Sequence, residues 1–204
     1  MTADGAASDP QAVRSEPVPL VNIANILTVS RLALVPVFLV ALFWDGGHDG
    51  VWRWVATGVF VVASITDRID GDLARRRGLV TDFGKVADPI ADKALTGAAL
   101  IGLSVLGDLG WWVTWVILGR ELAITLLRFW VIRHGVIAAS YGGKVKTLLQ
   151  AVAIGLYLLP LGAWAELPRW IVMGAAVVAT VGTGVDYVVR VLRLRAAARN
   201  GAGS

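Results

Sequence analysis

Residues 54–78 read WVATGVFVVASITDRIDGDLARRRG, an apolar run that ends in a dense cluster of acidic and basic residues. The apolar half can enter a lipid bilayer, whereas the charged half is costly to bury in one. The whole chain is apolar, with 56% hydrophobic and only 17% charged residues, against about 45–50% and about 25% in soluble domains. The composition therefore predicts an all-α integral membrane protein with several spans.

Six segments are apolar and long enough to cross a bilayer, which takes about 20 residues per helix. The breaks between them contain turn residues, such as DGGHDG at 45–50 and GDLG at 107–110. The predicted spans are 26–44, 51–74, 88–106, 111–132, 145–161 and 170–192. Just before the first span, VNIANIL at 21–27 is predicted to form a separate short helix along the membrane interface.

Basic residues are distributed unevenly between the two ends of these spans. The ends near 75–85, 133–146 and 190–199 carry most Lys and Arg, whereas the alternate loops carry only Arg53 and Arg169. Because basic loops stay in the cytoplasm, both termini are predicted to be cytoplasmic. Tryptophans cluster at the opposite ends, as in an interfacial aromatic belt. These are Trp44, Trp52, Trp54, Trp111, Trp112, Trp164 and Trp170.

The composition also excludes several classes of protein. The chain has no cysteine, which rules out disulfides and cysteine-ligated metals. The net charge of +4 is explained by Lys and Arg residues that orient the membrane spans. Nucleic-acid binding is disfavoured, because the sequence has no basic stripe with interleaved aromatic residues. Residues 1–19 are predicted to be a disordered tail, 20–195 one membrane domain, and 196–204 a flexible tail.

Two pairs of aspartates lie at the cytoplasmic ends of the second and third predicted spans. Asp67 and Asp70 are three residues apart, and Asp88 and Asp92 are four apart. On helices, residues at these spacings share one face. Two antiparallel helices are therefore predicted to present four carboxylates to a shared space.

Four carboxylates in one place repel one another unless a cation compensates their charge. Oxygen ligands without His or Cys suit Mg²⁺, Mn²⁺ or Ca²⁺. Gly71 and Gly84 lie on the same helix faces and would leave room for a ligand. A carboxylate metal site at a membrane surface favours phosphate chemistry, because the ion neutralises phosphoryl oxygens. Asp72 and Asp82 lack this arrangement: Asp72 is interpreted as a surface partner for Arg68 or Arg76, and Asp82 as a loop or cap residue.

The two acidic segments together match a known signature at every position. The pattern is DxxDGxxAR, eight residues, then GxxxDxxxD, beginning at Asp67 and ending at Asp92. It resembles the signature of the CDP-alcohol phosphotransferases. The resemblance implies six membrane helices, an amphipathic helix before the first, a polar cavity open to the cytoplasm and a homodimer. It also implies a CDP-linked donor, Mg²⁺ or Mn²⁺, attack by an alcohol and release of CMP.

The resemblance assigns roles to individual positions. Asp67, Asp70 and Asp88 would be metal ligands, and Asp92 would be both a ligand and the general base that takes the acceptor's hydroxyl proton. The signature residues expected around the cytidine are Gly71, Ala74, Arg75 and Gly84. Arg75 could contact the nucleotide, or it could be a charge that orients the span, and both interpretations stay open.

Asn25 and Thr28 are three residues apart in the segment before the first span. They could contact the nucleotide, or they could cap the interfacial helix, and the spacing leaves both interpretations open.

Three further stretches resemble family members that transfer the phosphatidyl group from CDP-diacylglycerol to sn-glycerol 3-phosphate. They are NIANILTVSRLALVP at 22–36, GRELAITLLR at 119–128 and GGKVKTLLQ at 142–150. The alternative is the same chemistry with another acceptor, either phosphatidylglycerol, as in a cardiolipin synthase, or an inositol phosphate. A divalent-cation transporter is disfavoured, because the acids gather on one side of the membrane.

Four basic residues are candidates for binding the acceptor's phosphate, which requires cations and favours arginine. They are Arg120, Arg128, Lys144 and Lys146. Charge in the middle of a span is rare and usually functional. However, Arg120 could instead pair with Glu121 to brace helices, and the two lysines could be orientation charges. The Ala, Gly, Val and Arg content favours a bacterial source, hence the plasma (inner) membrane.

Overall fold

The structure is a computed structural model that describes the backbone of residues 23–77, 82–131 and 141–201. Side chains are described for 29–66, 90, 93–127 and 142–194. Within these ranges the chain forms six α-helices and no strand, which confirms the all-α prediction. The helices are α1 Ile23–Phe43, α2 Gly50–Arg77, α3 Asp82–Val105, α4 Trp111–Val131, α5 Tyr141–Leu158 and α6 Glu166–Gly201.

At two places near the termini the structure differs from the sequence prediction. Residues 23–27 are the first turns of α1 and not a separate interfacial helix, because no Gly or Pro interrupts the hydrogen-bond ladder before Pro36. Residues 196–201 continue α6 instead of starting a loose tail, since Ala and Arg are strong helix formers. The predicted tail at 1–19, together with 20–22 and 202–204, lies outside the described residues.

The core of the bundle lies where α1 packs against both α2 and α3, and where α5 contacts α2, α3 and α6. Helix α4 packs on α3 and α6. The largest fully buried apolar side chains include Phe38, Leu42, Leu100, Ile117 and Ile154. Helices α1 and α3 approach closely at Gly102, where a Cβ atom would lie 2.5 Å from Leu42 Cδ2. This use of a small residue is typical of packed membrane helices.

The two arginines at the basic-poor end of the bundle are both used within the fold. Arg53 of α2 donates to Asp108 in the α3–α4 connection, and its side chain is 9% exposed. Arg169 of α6 donates to the carbonyl oxygens of Leu156 and Leu159 at 2.8 and 2.5 Å. These carbonyls lie at the end of α5, where the helix itself supplies no donors. Structural roles therefore explain both exceptions to the charge asymmetry.

The surface of the described helices is unusually apolar. Two stretches, Val29–Gly47 and Ala163–Leu194, are long and apolar enough to cross a membrane, and Gly50–Thr66 and Lys93–Val105 are shorter apolar helices. Six of the seven tryptophans in the predicted belt have more than a third of their surface exposed, and Trp164 reaches 74%. Exposed apolar area on this scale is typical of a surface that contacts lipid.

Candidate functional site

The helices predicted to carry the four aspartates are present. The backbone is α-helical at Asp67 and Asp70 in α2 and at Asp88 and Asp92 in α3. Helix α2 ends at Arg77 and α3 begins at Asp82, so the linking chain spans at most about 18 Å. The two acidic segments therefore lie at the same end of the bundle. Their side chains lie outside the described residues, and the convergence of the four carboxylates stays a prediction.

The expected nucleotide-binding residues are also on helices but outside the described side chains. Asn25 and Thr28 lie on α1, and the remaining four lie near the linked ends of α2 and α3. Those four are Gly71, Ala74, Arg75 and Gly84. Among the side chains that the structure does describe, no three carboxylates or imidazoles come together. The described part of the chain therefore offers no competing metal cluster.

Two of the four predicted acceptor-binding residues meet at one carboxylate. Arg120 Nη1 of α4 and Lys146 Nζ of α5 donate to the same oxygen, Glu121 Oε1, at 2.9 and 2.5 Å. The exposed fractions of the side chains are 17% for Arg120 and 7% for Lys146. Lys144 is exposed, and the side chain of Arg128 lies outside the described residues. The structure thus brings together Arg120 and Lys146 and leaves Lys144 on the surface.

Hydrogen bonds extend this pair to α3. Thr125, one turn after Glu121, donates to the Glu121 carbonyl oxygen at 2.7 Å and accepts a hydrogen bond from Lys93 Nζ. Lys93 directly follows Asp92 in the chain, so the helical turn that carries Asp92 lies beside these residues. We call Lys93, Arg120, Glu121, Thr125 and Lys146 the cationic cluster.

The cationic cluster has three positive side chains and one negative side chain. If all of them are ionised, its formal charge is +2. The charge of a phosphate monoester is close to −2 near neutral pH, so the two are complementary. Cations in a low-dielectric site are stabilised when an anion pairs with them. The arrangement can therefore hold a phosphate monoester beside the turn of Asp92.

Sequence reasoning missed Lys93 and Thr125. The structure shows that the side chain of Lys93 on α3 reaches α4. The position of Thr125 could have been predicted in part, since it lies four residues after Glu121 and thus on the same helix face. Which helix packs against that face could not be read from the spacing.

Glu121→Gln is expected to lower the Tm of the purified protein by about 10 °C, because the partly buried Arg120 and the buried Lys146 lose their shared anion. The matched control is Asp186→Asn, which breaks an exposed ion pair with Arg190 at 3.0 Å on α6. An exposed pair contributes little, so this control should shift Tm by less than about 2 °C. Thermal unfolding in detergent measures the Tm of both variants. Equally small shifts of Tm in the two would contradict the role of Glu121 as a shared partner of Arg120 and Lys146.

The chain is similar to known proteins over most of its length. Residues 21–182 match the CDP-alcohol phosphatidyltransferase family. The chain belongs to this family, which confirms the resemblance seen in the signature.

Three individual relatives are similar to this chain over most of its length. A Mycobacterium tuberculosis H37Rv protein named "Probable phosphatidylglycerophosphate synthase" is 60% identical over 174 residues, covering 85% of this chain and 83% of its own. The Bacillus subtilis CDP-diacylglycerol–glycerol-3-phosphate 3-phosphatidyltransferase is 37% identical over 183 residues, covering 81% and 93%. The Salmonella typhimurium protein of that name is 35% identical over 176 residues, covering 82% and 93%.

Proposed function

We propose that this chain transfers the phosphatidyl group from CDP-diacylglycerol to sn-glycerol 3-phosphate, giving phosphatidylglycerophosphate and CMP. The observation that carries the proposal is the cationic cluster, whose charge suits a phosphate monoester and which lies beside the turn of Asp92. The names of the relatives from Bacillus subtilis and Salmonella typhimurium state the same donor and acceptor.

Charge distinguishes only one of the alternative acceptors. Phosphatidylglycerol, the acceptor of a cardiolipin synthase, carries a phosphodiester with a single negative charge, which is less than the charge of a phosphate monoester. An inositol phosphate carries the same kind of phosphate monoester as sn-glycerol 3-phosphate. The alternative acceptors therefore remain outcomes of the assay below.

In the proposed reaction, Asp92 accepts the proton of the acceptor's primary hydroxyl group while the hydroxyl oxygen attacks the phosphorus of the phosphatidyl group. A new oxygen–phosphorus bond forms to the acceptor, and the bond between this phosphorus and the CMP oxygen breaks. Arg120 and Lys146 hold the acceptor's phosphate, so the hydroxyl at the other end of a three-carbon chain is positioned. Positioning and charge compensation supply most of the acceleration in phosphoryl transfer.

We also propose that Mg²⁺ or Mn²⁺ binds at Asp67, Asp70, Asp88 and Asp92. The donor set fits a hard cation, because it contains only carboxylate oxygens and the chain has no cysteine. The helical backbone of α2 and α3 supports the pairing of each set of two on one face. When bound, the ion would neutralise charge on the donor's phosphates.

All six helices are proposed to cross the plasma membrane of a bacterium, with both termini and the site in the cytoplasm. The exposed apolar surface and the exposed tryptophans support this placement. Helix α4 carries two charged residues, Arg120 and Glu121, whose charges pair inside the bundle. Such intramembrane charges usually face the protein interior. The proposed homodimer rests on the family resemblance.

The acceptor assignment is tested by incubating the purified full chain with CDP-diacylglycerol, Mg²⁺ and one acceptor at a time. We expect CMP release with sn-glycerol 3-phosphate and none above background with phosphatidylglycerol or inositol phosphate. Release with another acceptor alone would contradict the assignment while leaving the family chemistry in place. Omitting the acceptor controls for hydrolysis of the donor.

A further inference from the structure

Helix α6 forms a wall of the cationic cluster at Thr183. Arg120 Nη2 donates to Thr183 Oγ1 at 2.9 Å. The Thr183 hydroxyl in turn donates its hydrogen to the Ala179 carbonyl oxygen at 2.7 Å. Since that hydrogen is used by the backbone, the hydroxyl oxygen is oriented as an acceptor for the guanidinium group. The two terminal nitrogens of Arg120 are thus held by Glu121 on its own helix, α4, and by Thr183 on α6.

The neighbouring residue, Gly184, provides the space in which the Arg120 side chain lies. Gly184 is buried, and a Cβ atom there would lie 3.1 Å from Arg120 Nε and 3.2 Å from Arg120 Cγ. Arg120 Nε is buried against this position and has no hydrogen-bond partner in the described part of the structure. An alanine at this position of α6 would require the Arg120 side chain to shift by a few tenths of an ångström.

We propose that Thr183 and Gly184 are positioning residues that set the orientation of Arg120 for the acceptor's phosphate. This inference rests on the proposed function. Both residues lie just beyond the segment at 21–182 that matches the family, so they are not part of that match. Neither touches the reacting atoms in this proposal, and both act through Arg120.

Orientation matters here because arginine has several rotatable bonds, and an unrestrained side chain must be ordered when the ligand binds. A guanidinium group that is held beforehand can contact a phosphate with two parallel hydrogen bonds. Loss of the α6 contacts would weaken binding of the acceptor in the ground state and the transition state alike. Such a change raises the acceptor's KM and leaves kcat nearly constant.

The test measures initial rates of CMP release by the purified full chain, varying each substrate in turn. Thr183→Val keeps the shape but removes the accepting oxygen, and should raise the KM for sn-glycerol 3-phosphate about tenfold. Thr183→Ser should restore the KM to within about twofold. Gly184→Ala should raise this KM about threefold to tenfold. The kcat and the KM for CDP-diacylglycerol should stay within about twofold in all three variants.

The matched control is Gly182→Ala, on the same helix, where an added Cβ atom would meet nothing within 4 Å. Its KM values should equal those of the wild type. In an Arg120→Ala background, Thr183→Val should cause no further increase, because residues that act through one another are not additive. A Thr183 effect that persists without Arg120 would overturn the inference.

The two proposals fail in distinguishable ways. If the wild type releases CMP only with another acceptor, the proposed function fails. If the wild type uses sn-glycerol 3-phosphate but Thr183→Val leaves its KM unchanged, only the positioning role fails. If Gly184→Ala does not fold, the KM values of Thr183→Val and Thr183→Ser still test the positioning role.

Discussion

Asp92→Asn is expected to reduce kcat for CMP release with sn-glycerol 3-phosphate by about 10³-fold, the size of a typical general-base contribution. Asparagine has nearly the same shape as aspartate, but its amide cannot take a proton from the acceptor's hydroxyl group. Binding of CDP-diacylglycerol to the purified variant, measured by calorimetry, should remain within about tenfold of the wild type.

The control for this prediction is Asp72→Asn on α2. Helical spacing places Asp72 off the arc of Asp67 and Asp70, so its kcat should stay within about twofold. An Asp92→Asn variant that retains more than about a tenth of the wild-type kcat would exclude Asp92 as the base. If Asp72→Asn lowered kcat equally, the loss in Asp92→Asn would be a general effect of removing an acidic residue and not evidence for a base.

Removal of divalent ions is expected to abolish CMP release. Excess EDTA should bring the rate to background, and added Mg²⁺ or Mn²⁺ should restore it. The physical reason is charge, since two donor phosphates and four carboxylates cannot lie together without a cation. Rates before and after chelation, at constant ionic strength, measure the effect.

A binding measurement separates a resident ion from one carried in by the substrate. Electron paramagnetic resonance should detect Mn²⁺ bound to the protein without donor, and Asp70→Asn should weaken this binding at least about tenfold. Asp186→Asn serves as the control, because Asp186 already pairs with Arg190 on an exposed part of α6. Full activity in EDTA, or equal Mn²⁺ binding by all three proteins, would contradict a metal site at these aspartates.

The cationic cluster explains how strong charges are accommodated inside an apolar bundle. Arg120 and Lys146 share Glu121, and Lys93 contacts Thr125, so each polar side chain has a partner on another helix or on its own. Partial compensation by Glu121 lowers the cost of burying these cations in the bundle.

Much of the site could be predicted from local sequence because it depends on helical periodicity. The spacings of Asp67 with Asp70 and Asp88 with Asp92 place each pair on one face whatever the tertiary structure. Likewise, an α-helix covers most of each of the six predicted segments, since long apolar runs bounded by turn residues have few other conformations available. The prediction of a separate interfacial helix was wrong for the described residues 23–27, which belong to α1, because apolar content alone does not mark a break.

The amino-acid sequence by itself determined the helices, the acidic faces and the membership of a phosphotransferase family. Only the tertiary structure decided which helices meet around Arg120. The contacts of α4 with Lys93 on α3, Lys146 on α5 and Thr183 on α6 join residues that are 25 to 63 positions apart in the chain. No periodicity connects such distant residues, because their proximity follows from how whole helix surfaces pack. Thr183 and Gly184 carried no local signal for this reason, although the structure places them against the arginine proposed to select the acceptor.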